Sequence, residues 1–220
     1  MKHYTGIKAI LFDMDGTILD TAGDICAAML HAVETVGLPP FPTEGYEQRI
    51  GNGIRRLLHS VLPEGTPDEV AEQALAEHLR YYPAHCTERT YFYPGMEELL
   101  QTLVDRGLKL AIVTNKVEAT AIKIAAHYCP DIPFLAVWGN DGVRPLKPDV
   151  RVGNMACEAL GVTPEQVLYV GDGDADMRFA KNMGFGAVAA TWGYRSREVL
   201  IENGAEVLLE KPLDLLDIFE

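Results

Sequence analysis

The 220-residue chain carries 19 Lys and Arg against 32 Asp and Glu, a formal charge of -13, with 48% hydrophobic and 23% charged residues. That length suits one full domain with something added better than two independent domains of ~150 residues. The composition is that of a chain folded throughout, and the acidity excludes nucleic acid and anionic lipid as partners, since both are held mainly by Lys and Arg neutralising phosphates.

In chain order, residues 8–13 (KAILFD) form a short apolar run that ends on a carboxylate, a buried strand by its turn-forming flank. The polar lead and four apolar residues are too short for a signal h-region or a membrane span. No later segment approaches a span, which predicts a cytoplasmic protein. From about Asp20 to Phe92 no comparable strand run occurs. Residues 22–37, 52–62 and 67–82 instead place apolar residues at helical spacing, so an all-helical insertion is expected directly after the first strand. Pro94 and Gly95 punctuate the return, as Gly16 marks the departure.

Beyond Gly95, helical patterns at 96–107, 117–128, 150–161 and 175–184 alternate with the strand runs LKLAIVTN, FLAVWGN, VLYVGD and GAVAATWG. The alternation predicts an α/β fold, a doubly wound, Rossmann-like parallel sheet with helices on both faces and a small all-helical cap domain inserted. The expected division is a catalytic core of residues 1–17 and 93–220 and a cap of residues 18–92, placed as a lid over the strand ends where open parallel sheets bind ligands. Cys26, Cys86, Cys129 and Cys157 are far apart with no C-x-x-C spacing, so they read as reduced thiols.

Several segments carry chemistry. In LFDMDGT, Asp13 and Asp15 stand two residues apart at a strand end, where they repel each other and need a cation or a shared proton. Taken alone they also suit an acidic turn. VGDGDADM adds Asp172, Asp174 and Asp176 after a second apolar run. These suit a helix N-terminus, but a doubly wound sheet opens both strand ends onto one crevice, and pooled carboxylates there would hold a hard cation. Magnesium fits best, because it accepts one or two carboxylates, keeps waters and bridges to phosphate; the calcium-hand loop pattern is missing. Thr114 and Asn115 end a strand just before a helix, as caps or as phosphate ligands. Lys147, between Pro145 and Pro148, is either solvated surface or a stiffly held ammonium that lowers the carboxylate repulsion and pairs with phosphoryl oxygens.

DMDGT, Thr114 with Asn115, Lys147 with Pro148, and GDGDAD before a helix resemble, in that order, the four motifs of the haloacid dehalogenase superfamily of phosphatases. The resemblance runs from Lys8 to about Gly193 and implies a magnesium-dependent phosphatase that passes through an aspartyl phosphate. Asp13 would then be nucleophile and metal ligand, and Asp15 the general acid and base, with its carbonyl on the metal. Asp172 would be a direct ligand and Asp176 a supporting carboxylate, while Thr114, Asn115 and Lys147 would bind the phosphoryl group. Gly173 stands where such enzymes often carry Ser. In the insertion, QRIGNGIRRLL and YYPAHCTERTYFYPG are similar to the phosphoglycolate phosphatase group, which implies a small phosphorylated metabolite as substrate, 2-phosphoglycolate first. The GNG segment with its arginines is either a Gly-rich turn whose charges face solvent or, if Arg49 or Arg55 and the N–H groups of Gly51, Asn52 and Gly53 point inward, a reader of the substrate carboxylate. The same core would serve a sugar phosphomutase or a pyrophosphatase, and a receiver-type signalling module also carries Asp, Thr and Lys on such a sheet. The second Asp15 and the long insertion count against a receiver. A monomer or a homodimer is expected.

Overall fold

The computed structural model of the protein describes residues 2–220. Strand β1 (Ala9–Phe12) is buried at every position, and the same holds for β6 (Val167–Gly171) and β7 (Gly186–Ala190). Strands apolar on both faces can only sit inside a sheet covered twice, which is what a parallel sheet with crossover helices provides. With β4 (Lys109–Val117), β5 (Val137–Asn140) and β8 (Val207–Leu209) they form one six-stranded parallel sheet in the order β5-β4-β1-β6-β7-β8. The chain winds outward from β1 through β4 to β5, then returns to β6 on the other side of β1 and winds outward again. That reversal beside β1 is the switch point at which open sheets leave a crevice beyond the strand carboxyl ends.

Helices α4 (Met96–Asp105), α5 (Glu118–Tyr128), α6 (Arg151–Leu160), α7 (Asp174–Met183) and α8 (Arg197–Glu202) lie between the strands. Gly161 and Gly184 end α6 and α7 at φ 62° and 73°, a left-handed conformation that costs other residues more. Two cores result, one on each face of the sheet. Ile10, Phe12, Ile112 and Val170 pack on one side, while Leu11, Val113, Tyr169 and Phe179 pack on the other.

The helical insertion contains α1 (Ala22–Thr35), α2 (Ile54–His59) and α3 (Asp68–Tyr81). It leaves and rejoins the core through a two-stranded antiparallel ribbon, β2 (Leu19–Asp20) against β3 (Tyr91–Phe92). A buried carboxylate secures the return. Asp24 on α1 accepts from the N–H groups of Glu88, Arg89 and Thr90 at 3.1, 2.8 and 3.0 Å and from the Thr90 hydroxyl at 2.8 Å. No helix among the described residues is long and apolar enough to cross a membrane.

Candidate active site

The crevice at the switch point collects the carboxyl ends of β1, β4 and β6. Asp13 follows β1, and its N–H is held by the Val170 carbonyl at 2.9 Å, which continues the sheet pairing and fixes the side chain over the strand end. Asp172 follows β6, where the Thr17 hydroxyl and the Tyr194 N–H donate to its carboxylate at 3.0 and 2.8 Å. Asp176, in the first turn of α7, accepts from the Gly173 N–H at 2.8 Å. Asp13, Asp172 and Asp176 are all buried, and one oxygen of each lies within 4.8 Å of the others. Asp174 points outward to Arg178 and lies 3.6 Å from Arg195.

One ammonium stands among these three carboxylates. Lys147 Nζ donates to Asp176 at 2.6 Å, to the Tyr169 hydroxyl at 2.8 Å and to the Val113 carbonyl at 3.0 Å. It also sits 3.0 Å from Asp13 Oδ1, an ion-pair distance, yet with its donors directed elsewhere Asp13 Oδ1 has no hydrogen-bond partner. Burial alone would lower the lysine's pKa, but Asp13 and Asp176 outweigh it and the net shift is upward, so Lys147 stays charged. The carboxylates bear the deficit. Burial, then repulsion from Asp176, pushes Asp13 up to about 6 despite Lys147. Burial, Asp176 and Asp13 likewise push Asp172 well above the usual carboxylate range.

Three buried carboxylates with one cation and an orphaned oxygen fit a further positive ion with oxygen ligands, which would remove the repulsion and supply the missing partner. Asp13, Asp172 and Asp176 are the residues able to hold it. Gly16 and Gly193 keep this cluster tight, because a Cβ on either would overlap the Asp172 side chain.

Asp15 faces the other way. Its Oδ1 accepts from the Thr21 hydroxyl at 2.6 Å and from Lys116 Nζ at 2.8 Å. Lys116 also donates to the Tyr82 hydroxyl, at 2.7 Å, and so ties the core to the insertion. Asn115 is fully occupied: its amide donates to the carbonyls of Gly51 and Lys147 at 3.0 and 3.3 Å and accepts from the Lys147 N–H at 2.8 Å. Its side chain therefore joins β4, the Lys147 loop and the insertion, and is not free for a ligand. Strand β4 does not stop at Thr114 and Asn115 as expected but runs on to Val117, with an irregular register after Val113; Thr114 is buried within it, and its hydroxyl works to lower the Asp13 pKa.

Beyond the carboxylates a cavity of about 340 Å³ opens between core and insertion. Asp13, Asp15, Thr114, Asn115 and Lys116 line its floor, with Gly51 and Gly53 among its walls. The arginines expected there are elsewhere. Arg49 is exposed and donates to the Ser60 carbonyl at 3.0 Å, while Arg55 pairs with Glu72 on the outer surface of the insertion. Arg55 and Asn52 border only an outer groove next to the cavity. The sequence reading overlooked Lys116, Thr21, Tyr194 and Tyr169, which position the carboxylates. Only Lys116 gave any signal, by following Thr114 and Asn115 directly.

The four clusters thus converge on one crevice, and comparison with known proteins agrees. The haloacid dehalogenase-like hydrolase profile matches residues 10–190. This chain belongs to that family. It is a phosphoric monoester hydrolase, and the family implies a divalent metal at the carboxylate cluster. It is 30% identical to a phosphoglycolate phosphatase of Chromobacterium violaceum, over 100% of this chain and 98% of that one. It is 31% identical to an N-acetylmuramic acid 6-phosphate phosphatase of Pseudomonas aeruginosa, over 97% and 95%. Among solved structures, a haloacid dehalogenase-like family hydrolase of Streptococcus pneumoniae superposes with a TM-score of 0.85 at 26% identity, covering 96% of this chain and 98% of that one.

Proposed function

We propose that this hydrolase cleaves a small phosphorylated acid, 2-phosphoglycolate first, with magnesium as its metal and Asp13 as its nucleophile. The observation that carries the reading is the opposition of two carboxyl groups. Asp13 stands on the Lys147 side among the ligand carboxylates, and Asp15 stands on the Lys116 side at the floor of the cavity.

Asp13 Oδ attacks phosphorus and forms a P–O bond while the ester P–O bond breaks. Asp15 gives its proton to the departing alkoxide, then takes a proton from the water that attacks the aspartyl phosphate, which returns Asp13 and releases phosphate. Lys147 offsets charge on the transferring oxygens, and Thr114 donates to them from the C-terminal half of β4. Asp13, Asp172 and the Asp15 carbonyl, with Asp176 in support, would hold magnesium, which would supply the remaining charge stabilisation. The helices of residues 18–92 serve as the cap that excludes water and reads the leaving group.

The substrate rests on the names of the relatives and on a floor with a cation suited to an acid. The sugar phosphate named for the Pseudomonas aeruginosa relative is the reading to beat. The test compares kcat/KM for 2-phosphoglycolate, hexose 6-phosphates, N-acetylmuramic acid 6-phosphate and pyrophosphate with magnesium. Highest kcat/KM on 2-phosphoglycolate is expected; N-acetylmuramic acid 6-phosphate, a hexose phosphate or pyrophosphate ahead of it would refute the substrate and leave the hydrolase standing.

A further inference from the structure

The cavity's lining is poor in charge. Beside Asp13 and Asp15, its one fully charged side chain is Lys116; His78, the other titratable base, lies on the cap side. The rest of the wall is largely apolar, with Ile25, Ile50, Ile54, Leu57 and Leu79 facing the floor. A polyhydroxylated leaving group seated there would leave its hydroxyls desolvated without partners, whereas a carbon chain with one anionic end would meet apolar walls and one ammonium.

Lys116 is equipped for that end. An ammonium has three donors, and two of these serve Asp15 and Tyr82, so one remains. Its Nζ sits 2.8 Å from the carboxyl oxygen of Asp15, the group assigned to the ester oxygen. Both the ester oxygen and Nζ would be hydrogen-bond neighbours of a single carboxyl, which keeps them within about 7 Å of each other, so a carboxylate one or two bonds beyond the ester oxygen can reach Nζ. Arg49 and Arg55, tied to Ser60 and Glu72, bring no competing charge to the cavity.

We propose that Lys116 is the specificity-determining residue of this enzyme, its ammonium receiving a carboxylate carried one or two bonds beyond the ester oxygen. This rests on the phosphatase reading above and deepens it.

The test uses the magnesium-loaded protein and two esters differing only at that substituent: 2-phosphoglycolate, and 2-hydroxyethyl phosphate, in which an alcohol replaces the carboxylate. The wild type should prefer the carboxylate. Lys116→Gln keeps a donor toward Asp15 and removes the charge, so kcat/KM for 2-phosphoglycolate should fall on the order of 10- to 100-fold further than for 2-hydroxyethyl phosphate, mostly through KM. Lys116→Met gives the same reading should the Gln variant fail to fold. Equal losses on both esters would mean that Lys116 only steadies Asp15 and would overturn the proposal, as would a wild type without preference. No phosphate release from any ester would instead overturn the phosphatase reading beneath it.

Discussion

Asp15 is held from two sides, by Thr21 and by Lys116, so its carboxyl is fixed before substrate arrives. Replacement by Asn keeps the shape and removes the transferable proton. Asp15→Asn should lower kcat by about 10²–10⁴-fold with alkyl phosphates and far less with nitrophenyl phosphate, whose leaving group departs without a proton. Equal losses on both would contradict the acid role. At this scale the convergence of Asp13, Asp172 and Asp176 was legible because Asp13 and the Asp172–Asp176 segment follow apolar runs that must be buried strands, whereas Lys147, between two prolines, was singled out by the motif order. Arg49 and Arg55 were not legible, because adjacency to Gly51 and Gly53 says nothing about where a long side chain turns, and the partner that takes Arg55 is 17 residues away on α3. Lys116 was hidden for the same reason: Asp15, which gives it meaning, is 101 residues distant.

Two elements of the insertion make separable predictions. Asp24 on α1 satisfies three N–H groups where the chain returns to β3, and a buried donor left unpaired costs about 1–3 kcal/mol. Asp24→Ala should lower unfolding free energy in urea by about 3 kcal/mol or more; a loss within measurement error would contradict this anchoring role. On α3, burial and then the charge of Lys116 hold His78 down to about 4 from 6.5. Between those values the unfolded chain binds a proton that the folded chain refuses, so this residue's contribution falls as pH drops from 6.5 toward 4. The full window is worth about 3 kcal/mol at ~1.4 kcal/mol per unit. Asp13, raised to about 6, works in the opposite direction by keeping its proton longer in the folded state. The readout is therefore a difference: in metal-free protein, wild type should lose stability on acidification relative to His78→Phe, and parallel pH profiles would contradict the buried neutral imidazole. The long helices and five of the six sheet strands were legible from apolar periodicity. Strand β8 has three residues and the ribbon strands two each, too few for a period to show.

For the whole molecule, a fold this acidic concentrates negative charge at the switch point, where one lysine answers three carboxylates. Magnesium bound only by the folded state should raise the melting temperature, by about 2.7 kcal/mol of stabilisation at a hundredfold excess over Kd. Asp172→Asn should abolish that increment while leaving the metal-free protein at least as stable, since it removes a repelled buried carboxylate. An undiminished increment in the variant would place the ion elsewhere. The parallel, doubly wound character of the sheet follows from strand and helix succession, whereas the strand order and the cavity's shape, which depends on how the insertion packs across the ribbon, are encoded in no linear pattern. The central claim is that the phosphoryl group rests on Asp13, and mass spectrometry of the acid-quenched Asp15→Asn enzyme after mixing with substrate tests it most directly. One phosphoryl mass should appear on the peptide containing Asp13 and be absent when Asp13 is also changed to Asn. An unmodified peptide under conditions where that enzyme still turns over, or a phosphoryl group found on another residue, would contradict the account.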